Sequence, residues 1–230
     1  MAKRSNPIII SLGGSIIIPN REVDTAFLKK FKQTILKHVR RGQRFIIICG
    51  GGSLSRTYQR SAKAFGMRQQ NNLDWLGIHA THLNARLLQL VFDKYSNAEI
   101  LTNPNAKISW RNPVIIGGGW KPGWSTDYVS VKMAKKLKAK TIINLSDIDY
   151  VYDKDPKKYK NAKKLAKLTW PNFKKLVGGK WIPGANLPFD PIASRLAEKS
   201  KLNVIVMNGR KLTELEKALK NQKFKGTLIG

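Results

Sequence analysis

Three short apolar runs each break off into glycine: PIIISLGGS at residues 7–15, FIIICGGGS at residues 45–53 and PVIIGGG at residues 113–119. Runs of β-branched residues of this length read as buried strands. Laid side by side in one direction, their carboxyl ends form an edge of exposed backbone N–H groups, where anions bind in open α/β sheets. Glycine suits such an edge because no side chain holds the ligand away from the main chain. The pattern predicts a cradle for phosphates. Neither GxxxxGK[ST] nor GxGxxG occurs at these strand ends, so the P-loop and dinucleotide-binding readings fail on their own fingerprints.

Other reactive side chains are sparse. Cys49 is the single cysteine, so no internal disulfide can form, and its place at the apolar end of the second run reads as a buried, inert thiol. His38, His79 and His82 have no acidic or cysteine partners at metal-ligand spacing, although the last two sit three apart on a predicted helix. Charge is the unusual feature: 43 Lys and Arg against 14 Asp and Glu give a net +29, which predicts anionic partners. The lysines are spread through residues 27–41, 132–140 and 154–168 and, in the first two, alternate with apolar residues at helical spacing. They read as solvated helix faces that steer phosphorylated small molecules, with nucleic acid as a further partner although no recognisable RNA or DNA motif accompanies the charge.

The elements that must position the glycine edge alternate almost without interruption. Helices are predicted over residues 24–40, 53–65, 74–92, 126–137, 191–199 and 211–219, and further strands over 140–145 and 203–207. That alternation predicts a mostly parallel sheet covered by helices on both faces. With 230 residues and 42% hydrophobic content the chain supports one sizeable α/β domain. No linker divides it, and the lysine-rich stretch 153–167 reads as a surface loop or hairpin. No apolar run approaches a membrane span, and the basic opening residues lack a cleavage pattern, so a cytoplasmic protein is expected.

LGGS at residues 12–15, GGGSLSRTY at 50–58, LDWLGI at 73–78, GWSTD at 123–127, SDIDYVYDKDP at 146–156, FDPIAS at 189–194 and GTLI at 226–229 together resemble the amino-acid kinase family, and within it the archaeal-type uridylate (UMP) kinases. The resemblance implies a three-layer αβα sandwich over residues 1–230. About residues 1–138 would bind the phosphate acceptor and form dimer contacts, and about 139–230 would bind ATP. It also implies a homo-oligomer, a hexamer built as a trimer of dimers, and Mg²⁺ carried mainly on the ATP phosphates.

By the same resemblance Gly13, Gly14 and Ser15 would meet the transferring phosphoryl group, and Gly51 and Gly52 the acceptor phosphate, with Arg56 as its guanidinium partner. Asp74 would take the acceptor ribose hydroxyls, although an aspartate here also reads as an N-cap. Ser125, Thr126 and Asp127 would lie near the acceptor base and the reaction centre, with Asp127 orienting a cation or capping the next helix. Ser146, Asp149, Tyr152 and Asp155 would serve ATP, Asp149 beside its phosphates and Tyr152 beside the adenine, with Pro156 stiffening the loop. Asp190 reads as an N-cap before a ligand contact.

Three departures bear on catalysis. Many family members carry a lysine where this chain has Ser11, and many bacterial ones another where it has Asp147. Tyr150 replaces a glycine beside the nucleotide. The transition-state cation is therefore unassigned, with Arg56, Lys121 and Mg²⁺ as candidates. The reaction expected is transfer of the ATP γ-phosphoryl group to UMP, giving UDP. The alternatives are another phosphotransferase of the family, or a catalytically weakened nucleotide-binding regulator with affinity for nucleic acid. Isopentenyl phosphate kinase is disfavoured because Ser55, Arg56 and Thr57 offer no histidine after the second glycine cluster.

Overall fold

The computed structural model describes residues 6–156, 158–178 and 187–230. The basic residues 1–5, and Lys157 of the lysine-rich stretch, lie outside the described residues. Strand β1 (Ile8–Leu12) leads through a single turn, α1 (Gly14–Ile17), to α2 (Thr25–Val39), β2 (Phe45–Cys49), α3 (Gly52–Ala64), α4 (Gln70–Phe92) and β3 (Val114–Gly117). The second half runs α5 (Thr126–Lys136), β4 (Thr141–Ser146), β5 (Val151–Tyr152), β6 (Lys164–Leu165), β7 (Lys167–Leu168), α6 (Trp170–Val177), α7 (Pro191–Lys199), β8 (Asn203–Asn208), α8 (Leu212–Leu219) and β9 (Thr227–Ile229).

The main sheet has the order β3-β2-β1-β4-β8-β9-β7. Its first five strands are parallel, and β9 runs antiparallel to β8 and parallel to β7. The central strands are predominantly apolar because both faces are covered, with Ser11 and Asn144 as buried polar exceptions, and successive residues alternate between two cores. Ile10, Phe45, Ile47, Ile143 and Ile205 join Phe31 of α2, Leu88 of α4 and Leu215 of α8 on one face. Ile9, Ile46, Ile48, Ile142 and Val204 join Val129 and Met133 of α5, Phe173 of α6 and Ala193 of α7 on the other. The result is a three-layer αβα sandwich with a mostly parallel sheet, as the alternation of elements predicts.

Register aligns the carboxyl ends that matter. Leu12 pairs with both Cys49 and Leu145, so the turns after β1, β2 and β4 emerge side by side. The chain leaves β1 toward β2 and β3, then returns to β4 on the other flank, making the β1/β4 boundary the switch point where such sheets open a crevice.

Helix starts follow local chemistry: Asp24, Ser125, Thr169 and Asp190 each accept a hydrogen bond from an N–H of the first turn. One expected boundary is corrected. The helix predicted from residue 74 begins at Gln70, so Asp74 lies inside α4 and is not its N-cap. The 153–167 stretch is a long hairpin closed by the antiparallel β5 and β6 pair, and residue 167 already belongs to edge strand β7.

Candidate functional site

The first two glycine turns are built against each other. A methyl group on Gly14 would collide with the backbone of residues 50–52, and one on Gly52 would collide with Gly14. Gly52 also has φ +60°, which an L side chain resists. These glycines are required by backbone-to-backbone approach, and that approach places the amino ends of α1 and α3 next to one another. The first-turn N–H groups of a helix have no acceptor within it, so both ends offer donors to an anion. Braces arrive from distant elements: Asn84 of α4 donates to the Gly50 carbonyl at 2.8 Å, and the Ser53 hydroxyl donates to the Ile18 carbonyl at 2.9 Å.

These turns form part of the wall of a cavity of about 780 Å³ over the β1/β4 boundary. Gly13, Gly14, Ser15, Gly51, Gly52, Arg56, Asp74, Ser125, Thr126, Asp127, Ser146, Tyr152 and Asp155 all line it, together with Pro156 and Asp190. The structure therefore brings into one space nearly all the residues singled out from the sequence. Arg56 reaches from α3 across the glycine turns, its guanidinium donating to the Ser15 hydroxyl at 3.2 Å. Arg210, after β8, donates to the Ser15 carbonyl at 3.1 Å and pairs with Asp24 at 3.3 Å.

The third glycine cluster does not join this cradle as expected. Gly117, Gly118 and Gly119 are buried. A side chain on Gly117 would strike Leu101, and one on Gly118 would lie 2.7 Å from the Thr81 hydroxyl. The Gly119 N–H already donates to Thr81 at 2.7 Å, and His82 bonds the Gly119 carbonyl at 2.7 Å. Here glycine serves helix-to-strand packing, and only Gly119 borders the cavity.

Two further expectations are corrected by placement. Asp149 is not among the cavity's lining residues, and its carboxylate accepts from Lys211 at 2.6 Å and Asn208 at 2.9 Å. The Lys211 hydrogen bond holds its carboxyl below the ordinary range. Lys121 lies with its ammonium 4.4 Å from the Trp120 ring centre and is not part of the cavity wall.

Of the two roles first considered for Asp127, the structure removes the helix cap, which belongs to Ser125. Ser125 caps α5, donated to by the Tyr128 N–H at 3.1 Å, and leaves the Asp127 carboxylate free to turn toward the sheet. There it accepts from the Ser11 hydroxyl at 2.9 Å and the Asp190 N–H at 3.1 Å. Burial, and then the nearby Asp190 carboxylate, push Asp127 up to about 7. Burial also raises Asp190, which caps α7 through the Ala193 N–H at 2.7 Å as expected. Ser11 is thus the direct partner of the buried acid, at the position where many family members carry lysine.

Asp74, inside α4, accepts from Gln70 at 2.7 Å and from the Gly123 N–H at 2.8 Å, fastening the 119–125 turn to the helix while lining the cavity. Reading the sequence missed Gln59, Thr81, Trp124, Asn144 and Lys154 among the lining residues, and it marked Ser11 only as the place of an absent lysine. Trp124 carried a signal, standing directly before the Ser125 cap; the others become neighbours only through tertiary pairing. Cys49 is fully buried, which pushes its thiol up, in keeping with an inert role. Among the described residues no three His, Cys, Asp or Glu side chains group to hold a metal.

The family profile described as the amino acid kinase family matches residues 6–208. A uridylate kinase of Methanococcus aeolicus is 32% identical over 225 residues, spanning 96% of this chain and 98% of that protein. A uridylate kinase of Sulfurisphaera tokodaii is 36% identical over 188 residues, or 80% and 83% of the two chains. The solved structure of uridylate kinase from Archaeoglobus fulgidus superposes with a TM-score of 0.83 at 30% identity, covering 97% of this chain and all of that one. With a family profile that spans most of its length, and a glycine-lined crevice at the sheet's switch point, the chain belongs to the amino acid kinase family.

Proposed function

We propose that this chain is a uridylate kinase, moving the γ-phosphoryl group of ATP to the phosphate of UMP to give UDP and ADP. The single observation that carries the reading is the back-to-back contact of the Gly14 and Gly52 turns within one cavity, spanned by Arg56. An acceptor phosphate at the start of α3 and a donor γ-phosphate at α1 would then share the Arg56 guanidinium. An acceptor oxygen attacks the γ-phosphorus as the bond to the ADP oxygen breaks. That oxygen is ionised at neutral pH, so the step needs alignment and charge stabilisation and no general base. Relatives matched along nearly the whole chain carry the uridylate kinase name, which disfavours both another family phosphotransferase and a nucleic-acid-binding regulator.

Within this reading the acceptor subsite comprises Gly51, Gly52, Arg56, Asp74, Ser125 and Thr126 in the amino-terminal half, about residues 1–138. The donor subsite comprises Gly13, Gly14, Ser15, Ser146, Tyr152 and Asp155, drawing on residues from about 139 onward. Of the two candidate side-chain cations, Arg56 is retained and Lys121 is set aside, and Asp149 becomes an anchor for Lys211 and not a phosphate neighbour. The cavity's donor set fits Mg²⁺ in the way that ion is usually held, with phosphates supplying most ligands and one or two carboxylates the rest. Asp127 and Asp147 are the lining carboxylates that would reach it, and the bound ion would spread the charge of the transferring group.

No helix among the described residues is long and apolar enough to cross a membrane. Action in the cytoplasm, and assembly as a homo-oligomer through α3 and α4, complete the proposal. The α3–α4 face leaves Tyr58, Phe65, Trp75, Leu83 and Leu90 exposed, which supports a partner there. Native mass measurement tests the assembly, and a monomer would count against it. The activity is tested by following nucleoside diphosphate formation from ATP with UMP, CMP and AMP; silence with all three would remove the claim.

A further inference from the structure

The end of the cavity nearest α4 is walled by an aromatic side chain that neither the fold nor the phosphate chemistry requires. Trp124 lines the cavity beside Asp74, Gly77, Ile78 and Thr81. Its indole stacks on Tyr128 with ring centres 4.0 Å apart and planes inclined by 28°, and Trp120 flanks it at 6.3 Å. The turn that carries it is fastened at three points: Thr81 to the Gly119 N–H, Asp74 to the Gly123 N–H, and the Ser125 hydroxyl to the Tyr128 N–H. In the same cavity wall α3 and α4 meet at Gly77, where an added methyl group would lie 2.9 Å from the Gln59 amide and 3.0 Å from the Ser55 hydroxyl.

We infer that Trp124 is a specificity-determining residue: a braced indole that packs against the acceptor's base and restricts the subsite to a single-ring base. The inference deepens the uridylate kinase reading and rests on it for the choice of acceptor. The chemistry is that of any aromatic platform for nucleobases, since every base has a π-face and water leaves both surfaces on contact. What makes the wall selective is its bracing. An unsupported tryptophan would rotate away from a larger base; this one cannot do so without separating from Tyr128 and disturbing a turn tied to α4 and α5. Gly77, in the same wall, is packed closely against Gln59 and Ser55, so α3 and α4 are held together where they border the subsite. Asp74, one residue group along the same wall, would then meet the sugar, leaving the base to the indole.

The test compares wild type with Trp124→Ala and Trp124→Phe in the full chain, measuring kcat and KM for UMP, CMP, AMP and GMP, with KM for ATP alongside. Removing the indole should raise KM for UMP by about tenfold or more with a smaller change in kcat, matching the worth of one base-to-aromatic stack. The ratio of kcat/KM for AMP to that for UMP should rise at least about tenfold as the larger base gains room, and phenylalanine should restore most of the UMP preference. Equal losses with all four acceptors, or a change confined to the KM of ATP, would overturn the inference. Calorimetric binding of UMP and AMP to the same proteins separates the two layers. If wild type turns over no nucleotide, the kinase reading fails on its own, and the inference is then decided by whether Trp124→Ala alters the ratio of UMP to AMP affinity.

Discussion

Replacing Asp127 with asparagine should yield a protein that is more stable and less active, with a stability gain that depends on pH. Burial and the Asp190 carboxylate raise Asp127 from an ordinary 3.8 to about 7. Each pH unit of displacement is worth about 1.36 kcal/mol, so at alkaline pH the ionised carboxylate costs the folded state about 4 kcal/mol. Between these values the folded protein retains a proton that the unfolded chain has released. This group's contribution to stability therefore declines as pH rises from about 4 to about 7, and is level above that. Asparagine does not titrate, and it keeps both partners: its carbonyl accepts from the Asp190 N–H while its amide donates to the Ser11 hydroxyl. Neutral hydrogen bonds are weaker than those to a carboxylate, so the expected net gain is about 2–3 kcal/mol at about pH 8 and falls to near zero at about pH 4, where the unfolded chain keeps much of its proton as well. For a chain of this length that corresponds to roughly 4–12 °C in Tm. Thermal unfolding of both proteins in buffer free of nucleotide and phosphate measures it, with turnover recorded in parallel. The kcat of the variant should fall by about tenfold or more, as expected where a site stores an unfavourable charge for use. A stability difference that is flat with pH, or an asparagine variant that melts below its parent at the alkaline end, would refute the reasoning.

Other outcomes follow from the same geometry. Arg56→Ala should lower kcat/KM for UMP by about 10³-fold, and Arg56→Lys should recover only part of it because a point charge cannot bridge two groups as the guanidinium fork does; a loss below about tenfold in the alanine variant would remove Arg56 from the role. Gly52→Ala should cost more than about 3 kcal/mol, since a left-handed backbone and a collision with Gly14 act together, and a circular-dichroism melt close to that of the parent would contradict it. Ser11→Lys should set an ammonium against Asp127, return its carboxyl toward the ordinary range and raise kcat on the order of tenfold; a pH–rate profile identical to the parent's would argue against the pairing. Asp149→Asn should leave kcat within about threefold of the parent, whereas a hundredfold loss would return this residue to the reaction centre.

The sheet was legible because its code is local. Runs such as FIIIC leave no face polar, and their alternation between two cores reports helices on both sides. The cap at Asp190 was equally local, a short polar side chain one step before a helix, whereas the cap of α5 was offered to Asp127 and belongs to Ser125 two residues earlier. Asp74 was misread for the same reason. It looks like a cap, but the polar residues 70–72 before it already form the first turn of α4, and Gln69, at the actual boundary, makes no side-chain cap to signal it. The three glycine clusters show the limit best, because a sequence cannot state what a missing Cβ would have touched. At Gly14 and Gly52 the answer is another strand-end turn, and a ligand edge results; at Gly117 and Gly118 it is Leu101 and Thr81, and packing results.

Asp149 and Asp127 complete that argument from opposite directions. Both stand in runs that resemble family motifs, and both are carboxylates near strand or helix ends. Asp149 is met by Lys211, 62 residues along the chain, and its charge is neutralised outside the cavity. Asp127 is met by Ser11 and the Asp190 backbone, which offer hydrogen bonds but no cation, and its charge remains costly inside. The chain has a large surplus of lysine and arginine, yet among its contacts with described residues the Asp127 carboxylate has none of them as a hydrogen-bond or ion-pair partner. Net charge thus says little about catalytic charge. What decides it is which single side chain the sheet register places beside Asp127, and in this chain that side chain is the hydroxyl of Ser11.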